Sequence, residues 1–216
     1  LKFNEQGLIP AIVQDHLTGE VRMMAWMNSE SIEATLRTRK ATFFSRSRGA
    51  LWVKGETSGH ELRVRDVLAD CDGDTLLVLC DPAGPSCHTG LDNCFFQPLS
   101  DEEAGVADAQ PALPLLGKLE RLLEARKQST GDKSYTRSLF DGGVPKIGAK
   151  ITEEAGELVT ALDEESDARV ASEAADVLYH VLVGLRLRNV ALRDVLDVLA
   201  QRLGTSGHTE KASRGK

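Results

Sequence analysis

Between Pro98 and Pro114 the chain runs through Ser, Asp, Glu, Ala, Gly, Gln and Pro with few large apolar side chains. A stretch of that composition is expected to bury too little surface to order itself, so it reads as a linker. It matters because the apolar pattern changes period across it. On the amino-terminal side, short apolar runs such as Ile9–Val13, Ala41–Ser45, Leu51–Lys54 and Thr75–Cys80 are broken by turn residues, the signature of strands. On the carboxy-terminal side, apolar residues recur every three or four positions in 115–126, 147–164, 170–188 and 192–203, the signature of amphipathic helices. The expected fold class is therefore multidomain: a strand-rich α+β domain over 1–97, a linker over 98–113 and an all-α helical bundle over 114–216. A length of 216 residues and 41% hydrophobic content allow two separate cores.

Within the first half, Asp15-His16-Leu17-Thr18-Gly19-Glu20 supplies the turn of a hairpin whose return strand is Val21–Trp26. Asn28 or Ser29 then caps a helix reaching about Arg39, with Ile32 and Leu36 expected on its inward face. In the second half, Gly142-Gly143-Val144-Pro145 is expected to break the chain ahead of the helix starting near Ile147, leaving Tyr135, Arg137 and Lys146 in loops as accessory phosphate contacts. Residues 204–216 read as a polar tail.

A formal charge of −7 and a pI near 5.3 give counterion release little to act on, so nucleic acid is not an expected partner. No apolar run approaches membrane-spanning length, and the opening residues lack the order of a signal peptide; the expected location is cytoplasmic. In that compartment four cysteines point to metal or catalysis before disulfides.

Asp70-Cys71-Asp72-Gly73-Asp74 alternates carboxylates with a thiol just ahead of an apolar strand. On extended backbone the three aspartates would share one face and Cys71 the other, while Gly73 would permit a turn that gathers the oxygens instead. Three convergent carboxylates suit a hard divalent cation, Mg²⁺ in a cytosolic protein; an acidic surface turn is the plain alternative. Cys71, Cys87 and Cys94 would make a Cys₃ set for Zn²⁺ that leaves the fourth position to water, although their spacing is not that of a zinc finger. Cys80 ends an apolar strand and reads as a buried small hydrophobe. His88 would close a structural site, orient the water or cap a turn; His60 and His88 are the candidates for proton transfer. Arg46, Arg48 and Lys54 flank a strand pair and would bind phosphates, or serve as an ordinary basic edge.

Ala41–Arg48, Leu51–His60, Asp70–Asp74 and Gly84–Gly90 together resemble phosphoribosyl-AMP cyclohydrolase, over most of residues 8–97. The resemblance implies a homodimer with Zn²⁺ held by Cys71, Cys87 and Cys94 drawn from both subunits, and Mg²⁺ held by Asp70, Asp72 and Asp74. It further implies hydrolytic cleavage of the N1–C6 bond in a purine whose N1 carries phosphoribose. Asn93 stands where many relatives are expected to carry a small hydroxyl residue, which bears on local hydrogen bonding.

In the helical half, Glu154 and Glu157 lie one turn apart, as do Glu173 and Asp176, so two antiparallel helices would bring four carboxylates together. Glu154, Glu157 and Asp176 border apolar stripes, which a merely solvated acidic face would avoid. The paired ExxE and ExxD, followed by Val177–Leu182, resemble phosphoribosyl-ATP pyrophosphatase and the wider all-α nucleotide pyrophosphohydrolases over about residues 115–203. That resemblance implies Mg²⁺ on Glu154, Glu157, Glu173 and Asp176, Glu153 positioning a water, Lys150 holding a phosphate, and cleavage between the α and β phosphates. His180 reads as helix packing. The two halves would act in sequence, on phosphoribosyl-ATP and then on phosphoribosyl-AMP. The competing reading is a house-cleaning nucleotide pyrophosphohydrolase fused to a zinc-dependent deaminase-like domain, against which stands the absence of HxE followed by PCxxC.

Overall fold

The computed structural model describes residues 1–97, 114–129 and 134–203. The expected linker and the tail after Leu203 lie outside the described residues. The chain divides between Pro114 and Leu115 into two compact units, one strand-rich and one helical.

The first unit opens with the expected hairpin, β1 (Ile9–Asp15) and β2 (Val21–Met27), closed by a turn in which the Asp15 carboxylate accepts from the N–H of Leu17 and Thr18. Helix α1 (Ser29–Thr38) follows, then the two-stranded antiparallel sheet β3 (Thr42–Ser45) and β4 (Ala50–Val53). The antiparallel pair β5 (Leu62–Ala69) and β6 (Leu76–Pro82) completes the unit. β6 inserts beside β1 in parallel, giving a four-stranded sheet of order β2-β1-β6-β5. β5 was not among the strands expected from the sequence. Its run Leu62-Arg63-Val64-Arg65 does alternate, and Leu62 and Val64 are buried as period two requires.

One face of this sheet makes the core. Ile9, Ala11, Val13, Leu76, Val78 and Cys80 point to it, and Phe43 of β3 packs there with Trp52 of β4 tilted against it. Cys80 is wholly buried, as expected of a small hydrophobe. The opposite face carries an apolar row: Met24 pairs with Ile12, Ile12 with Leu77 and Leu77 with Leu68, one residue from each strand. Met24, Ile12 and Leu68 are 42%, 37% and 44% exposed.

In α1, Asn28 is the N-cap: its side-chain oxygen accepts from Ser31 N–H, and its own backbone N–H donates to the Ser31 hydroxyl. The inward face differs from expectation by one position. Ser31 and Thr35 are buried while Leu36 is 49% exposed, with only Ile32 packing against the core. The Thr35 hydroxyl bonds both the N–H and the carbonyl of Thr42, so the helix grips β3 through a polar clasp instead of an apolar stripe.

The second unit contains α2 (Leu115–Gln128), α3 (Tyr135–Glu164), α4 (Asp167–Leu187) and α5 (Leu192–Arg202). α3 begins a dozen residues earlier than expected, which corrects the placement of Tyr135, Arg137 and Lys146: all three are helical. The Gly-Gly-Val-Pro signal marks a kink within α3, where Gly143 has φ of 59° and a ψ no helix uses. Leu123, Leu139, Phe140, Ile147, Leu182 and Val183 form the core. α4 is tied to α2 by Arg186, which binds Glu120 and Glu124. Among the described residues no helix is long and apolar enough to cross a membrane.

Leu123 is fully buried in this small core, so Leu123→Ala should cost the helical unit about 2–5 kcal/mol. In chemical denaturation followed by circular dichroism, the helical transition should move to lower denaturant while that of the strand-rich unit stays in place.

Candidate functional sites

Residues 83–97, after β6, form neither helix nor strand and carry two of the cysteines. The local fold is a turn in which the N–H groups of Ser86 and Cys87 bond the carbonyls of Asp92 and Leu91, and Cys94 N–H bonds the carbonyl of Arg22 on β2. These bonds bring the Cys87 and Cys94 thiols into mutual contact. Both line a cavity of about 630 Å³ together with Arg48, Lys54, His60 and His88, so six of the expected site residues share one space. Arg46 does not. It lies over the Trp26 ring, 4.9 Å from its centroid, and faces a separate depression with Gln6 and Phe44.

The cavity is shaped by close approach. A Cβ on Gly84 would lie 2.5 Å from Nδ1 of His60, so only glycine lets that ring pack where it does. Desolvation raises the Cys94 thiol to about 11, and the adjoining Cys87 adds to the rise. For Cys87 desolvation acts in the same direction but is outweighed: the Thr89 hydroxyl donates to its sulfur at 3.1 Å, the Thr89 N–H, the Cys94 thiol and the His88 N–H assist, and the thiol falls below its usual value. Nδ1 of His88 stands 3.9 Å from the same sulfur. Desolvation likewise lowers the Lys54 ammonium, which the two thiols partly restore.

Cys71 is elsewhere. It is exposed in the turn that precedes β6, whereas Cys87 follows β6, and a seven-residue strand is roughly 20 Å long. The Gly73 carbonyl in that turn accepts from Lys2 N–H, which places Cys71 near the first residues of the chain. The Asp70–Asp74 stretch is not extended: Gly73 has φ of +75°, and Asp70 accepts from the N–H of Asp74 and Thr75. The turn, not strand alternation, gathers Asp70, Asp72 and Asp74, with one oxygen of each within 4.8 Å of the others. The charges of Asp74 and Asp70 hold the Asp72 carboxyl above its usual range, while the Thr75 N–H pulls Asp70 below it.

In the helical unit, oxygens of Glu154 and Glu157 on α3 and Glu173 on α4 meet within the same 4.8 Å. Asp176 is outside that trio, one turn from Glu173 and close enough to raise its carboxyl further. Burial is the larger cause of the Glu173 rise, which Arg169 opposes. Two cations hold the cluster together. Lys150 reaches Glu154 at 2.8 Å and Glu153 at 3.0 Å, and Arg169 reaches Glu173 at 2.5 Å. Among the accessory residues, Lys146 donates to Ser138, and Arg137 caps the end of α2 through the carbonyls of Lys127 and Ser129.

Three groups at these sites were not anticipated. Glu20 and Arg22 form a buried ion pair behind the cysteine turn, an opposite-charge pair at i, i+2 entering β2. Arg169 was signalled only by its i+4 relation to Glu173. His180, expected as packing, is indeed buried, but it also bonds the Asp176 carbonyl through Nδ1 and the Tyr135 hydroxyl through Nε2, both at 2.8 Å, and lies 3.8 Å from Glu154. No sequence spacing links Tyr135 to His180; the packing of α3 against α4 does.

Comparison with known proteins agrees with this division. The family described as phosphoribosyl-AMP cyclohydrolase matches residues 23–96, and that described as phosphoribosyl-ATP pyrophosphohydrolase matches residues 116–203. The chain is similar to the histidine biosynthesis bifunctional protein HisIE of Bacillus subtilis, 48% identical over 94% of each chain. It is similar to the protein of the same name from Wolinella succinogenes, 42% identical over 99% of this chain and 96% of the relative. The Deinococcus radiodurans protein of that name is 43% identical over 96% and 94%. These matches favour the consecutive-step reading over the deaminase fusion. With both domain families present in order and relatives aligned over nearly their whole length, the chain belongs to the bifunctional histidine-biosynthesis hydrolases that join a phosphoribosyl-AMP cyclohydrolase to a phosphoribosyl-ATP pyrophosphohydrolase.

Proposed function

We propose that the two units perform successive hydrolyses at separate metal centres. The helical unit releases pyrophosphate from phosphoribosyl-ATP, and the strand-rich unit opens the N1–C6 bond of the phosphoribosyl-AMP produced. The domain limits that fit this reading are 1–97 and 114–216, joined by 98–113. The observation that carries it is the cavity in which paired thiols, two cationic side chains and two imidazoles face one another.

The donor chemistry fits the metals the family resemblance implies. Cys87 and Cys94 are adjoining sulfur donors, and the hydrogen bonds on Cys87 already favour its thiolate. The third thiol, Cys71, lies at the other end of β6, so a second copy of the chain would supply it. The apolar row Met24, Ile12, Leu77 and Leu68, exposed at all but Leu77, offers that copy an apolar face. Zn²⁺ on Cys87, Cys94 and the partner's Cys71 would supply Lewis acidity that brings a coordinated water to a pKa of about 7. Arg48 and Lys54 hold the substrate phosphates against the cavity wall, Arg48 by its guanidinium fork. His88, beside Cys87, and His60, fixed against Gly84, accept the proton from the attacking water and return one to the departing ring nitrogen. Arg46 serves the phosphates from the neighbouring depression. Asp70, Asp72 and Asp74 present hard oxygens suited to Mg²⁺.

In the helical unit Glu154, Glu157 and Glu173 converge, Asp176 stands one turn away, and their oxygens suit Mg²⁺, which would neutralise the triphosphate and its leaving pyrophosphate. Lys150 holds a phosphate oxygen when it leaves Glu154, and Glu153, the more exposed of its two partners, orients the attacking water.

Separate centres should separate by mutation. With phosphoribosyl-ATP, Mg²⁺ and Zn²⁺ supplied, Cys94→Ala should release pyrophosphate at the normal rate and lose ring opening by more than about 100-fold. Glu154→Gln should lose pyrophosphate release to a similar extent yet open the ring of added phosphoribosyl-AMP. Loss of both activities in either folded variant would contradict the proposal.

A further inference from the structure

Cys87 and Cys94 lie on a segment without helix or strand, so regular secondary structure does not set the separation of their sulfurs. Something else must, and the candidates are few. Behind the cavity, Glu20, Arg22 and Ser86 are each at most 5% exposed and Asn93 not at all. We propose that Glu20, Arg22 and Asn93 form a buried brace that sets the separation of the two thiols, which makes them positioning residues for the zinc centre. The inference rests on the reading of Cys87 and Cys94 as zinc ligands.

The brace divides at one carboxylate. Oε2 of Glu20 accepts from Nη1 of Arg22 at 2.6 Å, and the rest of that guanidinium reaches the Cys87 side of the turn: Nε donates to the Ser86 hydroxyl at 3.1 Å and Nη2 to the Gly84 carbonyl at 3.0 Å. Oε1 of Glu20 accepts from the Asn93 amide at 2.7 Å, and Asn93 Oδ1 accepts from Phe95 N–H at 2.9 Å, which fixes the residues on either side of Cys94. Cys94 N–H in turn donates to the Arg22 carbonyl at 2.9 Å. Each oxygen of Glu20 therefore holds one cysteine-bearing arm. Asp92 lies 3.9 Å from the same guanidinium at the rim.

Burial makes the arrangement stiff. A guanidinium and a carboxylate removed from water keep their partners because an unpaired charge there is far costlier than a surface one. Asn93 suits the position for a concrete reason: it donates to Glu20 and accepts from Phe95 at once, spanning a gap with an amide that a serine hydroxyl is too short to fill in the same way. The departure noted at this position in the sequence thus has a structural counterpart. Groups that orient metal ligands without touching the metal commonly control affinity by about 10–100-fold.

The test uses the full chain, stripped of metal, as wild type, Asn93→Ala and Arg22→Met. Zinc affinity is read by competition with a chromophoric chelator, and thiolate geometry by the charge-transfer absorption of the Co²⁺-loaded protein. Both variants should bind zinc about 10–100-fold more weakly, with a displaced cobalt–thiolate band, at temperatures where circular dichroism shows them folded. If Arg22→Met does not fold, Asn93→Ala, which leaves the Glu20–Arg22 pair intact, decides alone. Folded variants with wild-type zinc affinity and an unchanged cobalt band would overturn the brace and leave the proposed function standing. Wild-type protein that takes up no zinc would overturn the proposed function and the brace with it.

Discussion

Crowded anionic donors repel, and the whole arrangement depends on how that repulsion is met. Glu154, Glu157 and Glu173 place oxygens within 4.8 Å of one another, and Asp70, Asp72 and Asp74 do the same. The raised carboxyls of Glu173 and Asp72 are the imprint of that crowding, with burial the larger cause at Glu173. Without an ion the chain meets it by its own means: Lys150 and Arg169 lie against the helical cluster, and backbone N–H groups feed Asp70. On the proposed reading, a divalent cation would concentrate more charge in the same space and free Lys150 for a phosphate.

In the strand-rich unit the same requirement meets a geometric constraint. β6 is a buried strut between β1 and β5, with the Asp70–Asp74 turn at one end and the Cys87–Cys94 segment beyond the other. One copy therefore presents two thiols and an acidic turn in different places. In the proposed function, the apolar row across the outward face of the sheet is the surface on which a second copy would bring Cys71 to the thiol pair. The proposed brace behind the cysteines would serve the same end, since a centre assembled from two chains would need at least one half held firmly.

Much of this was legible in the sequence because local rules govern it. The i, i+3 spacing of Glu154 with Glu157 determines their common face, and the helical periods of α2, α4 and α5 emerge where expected. The β1–β2 hairpin follows from Asp and Gly between two apolar runs. Other features depend on contacts between residues far apart in sequence. Thr35 faces inward in place of Leu36 because it clasps Thr42, a bond no apolar pattern encodes. β5 escaped notice because its arginines and Asp66 dilute the apolar signal, although Leu62 and Val64 are core residues. The expected break falls at Gly143, but a helical segment from Tyr135 precedes it, and Pro145, suited to a first helical turn, opens the segment that follows. Glu20 and Arg22 are 62 to 73 residues from Gly84, Ser86 and Asn93, the groups they hold in the cysteine segment, and nothing local announces those contacts.

The central claim, that sulfur ligands from two copies of the chain gather around zinc, is tested most directly by X-ray absorption at the zinc edge of the loaded protein. Three sulfurs at about 2.3 Å, falling to two in Cys71→Ala, are the result the account predicts. A first shell of nitrogen and oxygen, or a sulfur count that Cys71→Ala leaves unchanged, would contradict it.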